Sequence, residues 1–217
     1  LYSLITLFGV KNSYNAYLNN VLHIFSSSIF NDFVFSVNYL GSKIIEYFGD
    51  GSAWGAHINY LQESQKLGTA GALSLLTNKS EKEPLIVMNG DILTKLSYSQ
   101  LLDFHHDHEA DATMCVKEYD FQVPYGVIDL NQEKIFRIEE KPVQSLFVNA
   151  GIYVLSPSMI ELVPKDQFFD MTDLFNLLLQ TNKSAIAFPL KEYWIDIGRS
   201  EDFKKANQEF PDVFVKK

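Results

Sequence analysis

A single cysteine, Cys115, in 217 residues excludes an intramolecular disulfide framework and any all-cysteine metal cluster, and it agrees with a reducing, cytoplasmic setting. No apolar run approaches the roughly 20 residues that cross a bilayer, and no basic-then-apolar leader precedes a small-residue cleavage site, so neither a membrane span nor a leader is expected. Cations are scarce: 18 Lys and Arg stand against 27 Asp and Glu, the net charge is −9, and the first arginine is Arg137. That sign excludes nucleic-acid binding by phosphate neutralisation; a phosphate ligand must be met locally by a few cations, backbone amides or bound metal. Repeats, linkers and low-complexity stretches are missing too. Apolar residues are plentiful, at 47% with 17 Phe and 11 Tyr, enough for the core of one domain. In an acidic chain the aromatic excess is expected to fill that core and a subunit interface, which points to a homo-oligomer, and not to stack on bases.

Short β-rich runs alternate with amphipathic stretches, the pattern of βαβ units and a mostly parallel sheet. Strands are predicted at 33–37, 58–61, 84–88 and 112–116, and helices at 42–48, ended by Gly49, at 69–76 and from Ser97 to about His106. After Pro124 three strands follow in succession, at 125–130, 134–139 and 147–155, with a hairpin-like break at Asn131-Gln132; this reads as an antiparallel section inserted on an α/β core. A short helix starts at Ser156-Pro157, a longer one covers 171–180, a strand returns at 185–188, and a charged helix over 199–209 closes a single domain. Residues 1–32 are the least legible.

In an open parallel sheet, ligands bind beyond the carboxyl ends of strands. Asn89-Gly90-Asp91 puts a carboxylate at such an end, suited to a divalent cation on phosphate oxygens. Taken alone, a strand-ending Asp is more often a helix cap or turn former. Trp194-Ile195-Asp196-Ile197-Gly198 repeats the apolar-Asp-Gly arrangement, and the two carboxylates are placed to share one Mg²⁺. Gly68-Thr69-Ala70-Gly71 opens a helix with small residues, so that a flat or anionic group can approach free amides, although such starts are also common for packing. Lys141, held at a strand end by Pro142, offers a fixed ammonium to a phosphate monoester; a solvated charge run is the plainer reading. His105, His106 and His108 offer only an i, i+3 spacing and are assigned to an exposed helix end, not to zinc. Cys115, mid-strand, is read as an inert core thiol.

Together these segments resemble the sugar-1-phosphate nucleotidyltransferase family. The resemblance is carried by Leu67-Gly68-Thr69-Ala70-Gly71-Ala72-Leu73, Val87-Met88-Asn89-Gly90-Asp91, Pro124-Tyr125-Gly126-Val127, Ile138-Glu139-Glu140-Lys141-Pro142, Val148-Asn149-Ala150-Gly151-Ile152-Tyr153 and Trp194-Ile195-Asp196-Ile197-Gly198, in family order. Their wording is most similar to bacterial guanylyltransferases that make GDP-glucosamine for surface polysaccharides of the legionaminic-acid type. The resemblance implies a Rossmann-like, mostly parallel sheet with helices on both faces, of the nucleotide-diphospho-sugar transferase type, with a nucleotide-binding half at 33–124 and a sugar-phosphate-binding half at 125–209. It implies transfer of a nucleotidyl group, with GTP the favoured donor, to a hexose or hexosamine 1-phosphate, with release of pyrophosphate. Asp91 and Asp196 match the two Mg²⁺ aspartates and Lys141 the lysine on the sugar phosphate. Glu140 and Asn149 match positions on sugar hydroxyls, Gly126 lies against the sugar ring, and Trp194 is placed near it. Gly68, Thr69 and Gly71 match the turn under the base and ribose, Asn89 and Gly90 belong to the same nucleotide site, and Glu63 stands where a side chain reads the base edge. An ionised carboxylate only accepts hydrogen bonds, and guanine alone among common bases offers adjacent N1–H and N2–H donors, hence the guanine expectation.

The departure is at the start. The family opens on a Gly-Gly-x-Gly-Thr-Arg-Leu loop and a Pro-Lys pair, which hold the triphosphate. Here Gly9 stands alone, Leu4 to Phe8 occupy roughly the place of the Pro-Lys pair, and the sequence begins at Leu1, not Met. A truncated chain or a diverged relative that binds a nucleotide, a nucleotide-sugar or a partner subunit without turnover is the alternative expectation.

Overall fold

Apolar runs without alternation become the interior strands of one seven-stranded sheet. In the computed structural model, which describes residues 2–7, 30–38, 41–77 and 83–215, the strands are β1 (Tyr2–Leu7), β2 (Asp32–Val37), β3 (His57–Gln62), β4 (Leu85–Asn89), β5 (Ile92–Thr94), β6 (Ala112–Gln122), β7 (Gly126–Asn131), β8 (Lys134–Glu140), β9 (Val143–Leu155), β10 (Ala185–Pro189) and β11 (Trp194–Asp196). The helices are α1 (Gly41–Phe48), α2 (Gly68–Gly71), α3 (Tyr98–Asp107), α4 (Pro157–Ile160), α5 (Met171–Gln180) and α6 (Ser200–Phe210). The main sheet runs β10-β6-β9-β4-β1-β2-β3. Only β9 is reversed: it pairs antiparallel with β4 and β6, and every other neighbouring pair is parallel.

The period of two sorts the buried residues onto two faces. Phe33, Phe35, Ile86, Met88, Ile152 and Val154 pack with Ile44 and Phe48 of α1 and Leu101 and Leu102 of α3. Their alternates Val34, Val87, Tyr153 and Leu155 pack with Leu174, Phe175 and Leu178 of α5. Helices therefore cover both faces of a mostly parallel sheet, the Rossmann-like arrangement that the resemblance implies. Caps fix the helix starts: the Ser97 hydroxyl accepts from the Gln100 amide, and Asp170 and Asp173 form a reciprocal capping box on α5. No helix among the described residues is long and apolar enough to cross a membrane.

Several expectations need correction. Residues 2–7, within the stretch left without elements, form the sheet strand between β2 and β4; the Asn and Ser residues that follow hide this short run in the sequence. Gly9 and the rest of that stretch, up to residue 29, lie outside the described residues. β6 continues to Gln122 and β9 starts at Val143, so the two form a long antiparallel ribbon that leaves the sheet. The helix expected over 69–76 is a single α turn followed by a 3-10 turn at Ala72–Leu75. His105 is buried, unlike its exposed neighbours His106 and His108. The Ser156 hydroxyl donates to the Ala110 carbonyl and so accepts from His105 Nε2, 3.3 Å away, which leaves Nδ1 to accept from Thr113 Oγ1 at 2.8 Å. Burial holds the ring neutral and lowers its pKa to about 4. Cys115 is buried mid-strand, and burial pushes its thiol up.

Candidate active site

Two short strands that are hard to see in the sequence build the acidic centre. Asp91 sits in the turn between β4 and β5, and Asp196 ends β11, which pairs antiparallel with β5 so that Asp196 lies opposite Ile92. The Asp91 carbonyl accepts from the Ile197 amide at 2.8 Å. Gly198 closes the arrangement: a Cβ built there meets Asp196 Oδ1 at 3.0 Å and Asp91 Oδ2 at 3.1 Å. Oxygens of both carboxylates thus stand around one small space that only glycine leaves open. The Gly198 amide also donates to Asp196 Oδ1 at 2.8 Å, fixing its direction. Burial, and then the charge of Asp196, raise the Asp91 pKa to about 6 from 3.8. Among the described residues no cluster of three or more His, Cys, Asp or Glu surrounds the pair. A divalent ion there would take its remaining ligands from water and phosphate oxygens, as Mg²⁺ prefers; the donor set fits.

A cleft of about 510 Å³ opens beside Asp196, lined by Asn149, Trp194, Tyr119, Arg199 and Lys117 among others. Asn149 is held rigidly: its Oδ1 accepts from the Gly151 amide at 2.9 Å and its Nδ2 donates to the Tyr153 hydroxyl at 2.7 Å. Gly151 adopts φ +70°, and a Cβ there would lie 2.9 Å from the Asn89 side-chain nitrogen, so the glycine lets β9 pass close to the end of β4. The Trp194 indole donates to the Ala150 carbonyl at 2.8 Å, which fixes one ring edge to β9. Lys117 faces the same cleft, but its ammonium is already committed: it donates to the carbonyls of Leu190, Lys191 and Glu192 at 3.2, 3.4 and 2.9 Å. All three donors fasten the segment that leads into β11.

Gly126, Glu140 and Lys141 lie together on the β7–β8 hairpin, outside the lining of that cleft. Gly126 pairs with Glu140 across the ladder, and a Cβ at Gly126 would come 3.0 Å from the Glu140 carboxylate. Lys141 has φ +49°, a conformation rare outside glycine, which turns the chain at the exit of β8; its amide donates to the Tyr125 carbonyl.

The residues expected on the nucleotide side form a third group. Free amides were expected at 68–71, and those of 69–71 are not free. Thr69 N donates to the Asp170 carboxylate at 2.9 Å, and the amides of Ala70 and Gly71 donate to the Phe169 carbonyl. The Thr69 hydroxyl donates to Asp170 and accepts from the Met171 amide at 2.7 Å. Gly68, with φ +82°, and Gly71 leave room for this 167–170 segment, which a Cβ at either would meet at 2.7 and 2.9 Å. Glu63 does not point to solvent: it is buried, its Oε1 accepts from the Ser36 hydroxyl at 2.6 Å, and its Oε2 accepts from the Leu67 amide at 3.1 Å. Gly90 is buried at the end of β4. The sequence reading gave no role to Gly198, Lys117, Ser36 or Asp170. Gly198 alone carried a signal, as the glycine two residues after the strand-ending Asp196.

The chain matches the family model described as nucleotidyl transferase over residues 7–212. It is 33% identical over 180 residues to the mannose-1-phosphate guanyltransferase of Debaryomyces hansenii, covering 79% of this chain and 49% of that one. It is 31% identical over 194 residues to a probable mannose-1-phosphate guanylyltransferase of Oryza sativa, covering 85% and 53%. The chain therefore spans about half the length of the curated relatives it matches. Among solved structures, HddC from Yersinia pseudotuberculosis superposes with a TM-score of 0.71 at 25% identity, covering 97% of this chain and all of the other. HddC has also been solved in complex with GMP-PN, with a TM-score of 0.72. From the family model, the identities and the shared fold, the chain is a member of the sugar-1-phosphate nucleotidyltransferase family.

Proposed function

We propose that this chain transfers a guanylyl group from GTP to a hexose or hexosamine 1-phosphate and releases pyrophosphate. The observation that carries the reading is the placement of Asp91 and Asp196 around Gly198, an acidic pair with one carboxyl pushed up to about 6. In the reaction, an oxygen of the sugar phosphate attacks the α-phosphorus, a new P–O bond forms, and the bond to the bridging oxygen breaks, its electron pair leaving with pyrophosphate. The attacking phosphate is already anionic at neutral pH, so no general base is required. Asp91 and Asp196 would hold Mg²⁺, which neutralises charge on the α-phosphate and the incoming phosphate. Lys141 holds the sugar phosphate as a point charge, Glu140 and Asn149 accept or donate to sugar hydroxyls, and Gly126 and Trp194 bound the sugar ring. Asn89, Gly90 and the Gly68, Thr69 and Gly71 turn form the nucleotide wall, with Glu63 behind it. Support for guanine comes from relatives named guanyltransferases and from the GMP-PN complex of HddC. A homo-oligomer and a cytoplasmic role in supplying surface polysaccharide belong to the same reading.

One observation favours a second reading. The amides of Thr69, Ala70 and Gly71 are bonded to Asp170 and Phe169 and so are not offered to a phosphate. On that reading the chain binds a nucleotide-sugar or a partner subunit and does not turn over. Pyrophosphate release with GTP, Mg²⁺ and a panel of sugar 1-phosphates decides between them. Release supports the transferase; tight GDP-sugar binding without release supports the binding protein; neither rejects both.

A further inference from the structure

Lys141 has a backbone conformation that its place in the chain resists. Its φ is +49°, and it stands directly before Pro142, whose ring favours extended backbone in the residue ahead of it. Glu109, Gln132, Asp166 and Asn182 also have positive φ, and none of them precedes a proline. Glu109 and Asn182 follow helices and Gln132 lies in the tight turn between β7 and β8, places where left-handed backbone is ordinary. A residue held in so unfavourable a region persists only where its surroundings enforce it, and such residues gather at ligand-binding positions.

Three hydrogen bonds at the base of the β7–β8 hairpin enforce it here. The Lys141 amide donates to the Tyr125 carbonyl at 3.3 Å, and the Val123 amide donates to the Pro142 carbonyl at 3.0 Å. The third bond comes from a side chain: Gln122 Nε2 donates to the Lys141 carbonyl at 3.2 Å. Gln122 ends β6 and pairs with Val143, the first residue of β9, so its own backbone is anchored in the ladder. The carbonyl that it holds belongs to the Lys141–Pro142 peptide, whose orientation completes the turn. Among the described residues the Lys141 ammonium itself has no ion-pair or hydrogen-bond partner.

We propose that Gln122 is a positioning residue for Lys141. The inference rests on the proposed function: by holding the turn left-handed, Gln122 keeps the ammonium directed at the phosphate of the sugar 1-phosphate. Without its bond the turn relaxes towards the extended backbone that Pro142 favours, and the Cα–Cβ bond of Lys141 leaves in another direction. A long, freely rotating side chain then searches a wider volume before it meets one phosphate. The loss falls on the ligand of Lys141 alone. The acidic pair is built by β5 and β11, on other elements, and Gln122 touches no ligand.

Titration of mannose 1-phosphate and of glucosamine 1-phosphate into the 217-residue chain, with Mg²⁺ and a GTP analogue that releases no pyrophosphate, tests this without turnover. Gln122→Met keeps the length of the side chain and removes the donor. It is expected to raise the Kd of whichever sugar phosphate the wild type binds by about fivefold, the worth of one hydrogen bond, with the Kd of the GTP analogue and the circular dichroism unchanged. In a Lys141→Ala background the same substitution is expected to change nothing, which a general weakening of the hairpin would not reproduce. Gln122→Ser replaces Gln122→Met if the latter does not fold. An unchanged sugar-phosphate Kd overturns the proposal, as do an equal loss in both backgrounds and a wild type that binds neither sugar phosphate. Pyrophosphate release with GTP, measured separately, keeps the two readings apart: a loss that depends on Lys141 in a chain without release rejects the transferase and leaves Gln122 in its role.

Discussion

The main-chain carbonyl of Asp91 accepts the Ile197 amide at 2.8 Å, so the turn carrying one acidic side chain is tied directly to the strand end carrying the other. Neither side chain is needed for that tie. Asp91→Asn and Asp196→Asn are therefore expected to keep the fold and each to abolish Mg²⁺-dependent nucleotide binding in titration calorimetry. Unchanged affinity in both variants would reject the metal assignment. Asp91→Asn has a second signature. The Asp91 pKa is raised from 3.8 to about 6, so the native state keeps a proton that the unfolded chain has released. The resulting loss of stability is absent below the lower value, grows between the two and is complete above the upper, at about 3 kcal/mol. Thermal melts of metal-free protein at pH 7 should show Asp91→Asn more stable than wild type, with the gap closing towards pH 4.

Gly198→Ala is the finest probe of the acidic pair. Its backbone φ lies outside the left-handed region, so the methyl group acts only by pushing on two carboxylate oxygens 3.0 and 3.1 Å away. We expect about a tenfold rise in the Kd for Mg²⁺, while stability changes by less than ~0.5 kcal/mol. A variant with unaltered metal affinity would show that the two oxygens do not share an ion.

Lys117→Met removes an ammonium whose donors all serve the carbonyls of 190–192. Two half-buried acceptors and the exposed Lys191 carbonyl lose a charged partner, and a destabilisation of about 1–2 kcal/mol follows. In a Trp54→Phe background, Trp194 emission should shift to the red and Mg²⁺ affinity should fall. A substrate-binding lysine would instead raise KM for the sugar phosphate with Trp194 emission unmoved.

Glu63 is expected to tolerate Gln and not Ala. A Gln amide can accept from the Leu67 amide and donate to the Ser36 hydroxyl, replacing both present bonds. Glu63→Ala leaves both groups unpaired in a buried place and costs about 1–3 kcal/mol in a denaturant melt. Competition of GDP-sugars with UDP-sugars completes the test. A Gln variant that keeps its guanine preference shows that Glu63 supports the turn and does not read the base.

His105 sets an acid limit on the fold. Its folded pKa, about 4, lies below the ordinary 6.5, so its contribution is complete above pH 6.5 and is lost as pH falls towards 4. His105→Gln should flatten the stability profile in that window by about 1–2 kcal/mol. A profile identical to wild type would place the acid sensitivity elsewhere.

How much of this was legible depends on how local the cause is. The strands at 33–37 and 84–88 are visible because burial on both faces leaves Ser36 as the one polar residue among them. The exposed extension of β6 was legible too, in the alternation of Tyr119 and Phe121 with Glu118 and Asp120, but it was set aside where the buried part ends. The partners of Thr69 were not: Asp170 lies 101 residues away and makes the amides of the turn unavailable. Nor does a lysine in a strand announce that it will point at carbonyls from a later segment, as Lys117 does. β5 and β11 are three residues each, too short for any period to register.

That small sheet also sets an order of events at the ribosome. Thr94 is bonded to Tyr193 across 99 residues, and the acidic pair exists only when the two short strands meet. A nascent chain that has exposed β4 and the first aspartate therefore carries half of a centre, with Asp91 not yet facing a like charge. The second half arrives with almost the last of the described residues, after the sheet that must receive it has been translated. Long-range closure of this kind is slow relative to local helix formation. The acidic centre is thus completed only once Trp194–Asp196 has been translated, and a ribosome that stalls before Trp194 releases a sheet without it.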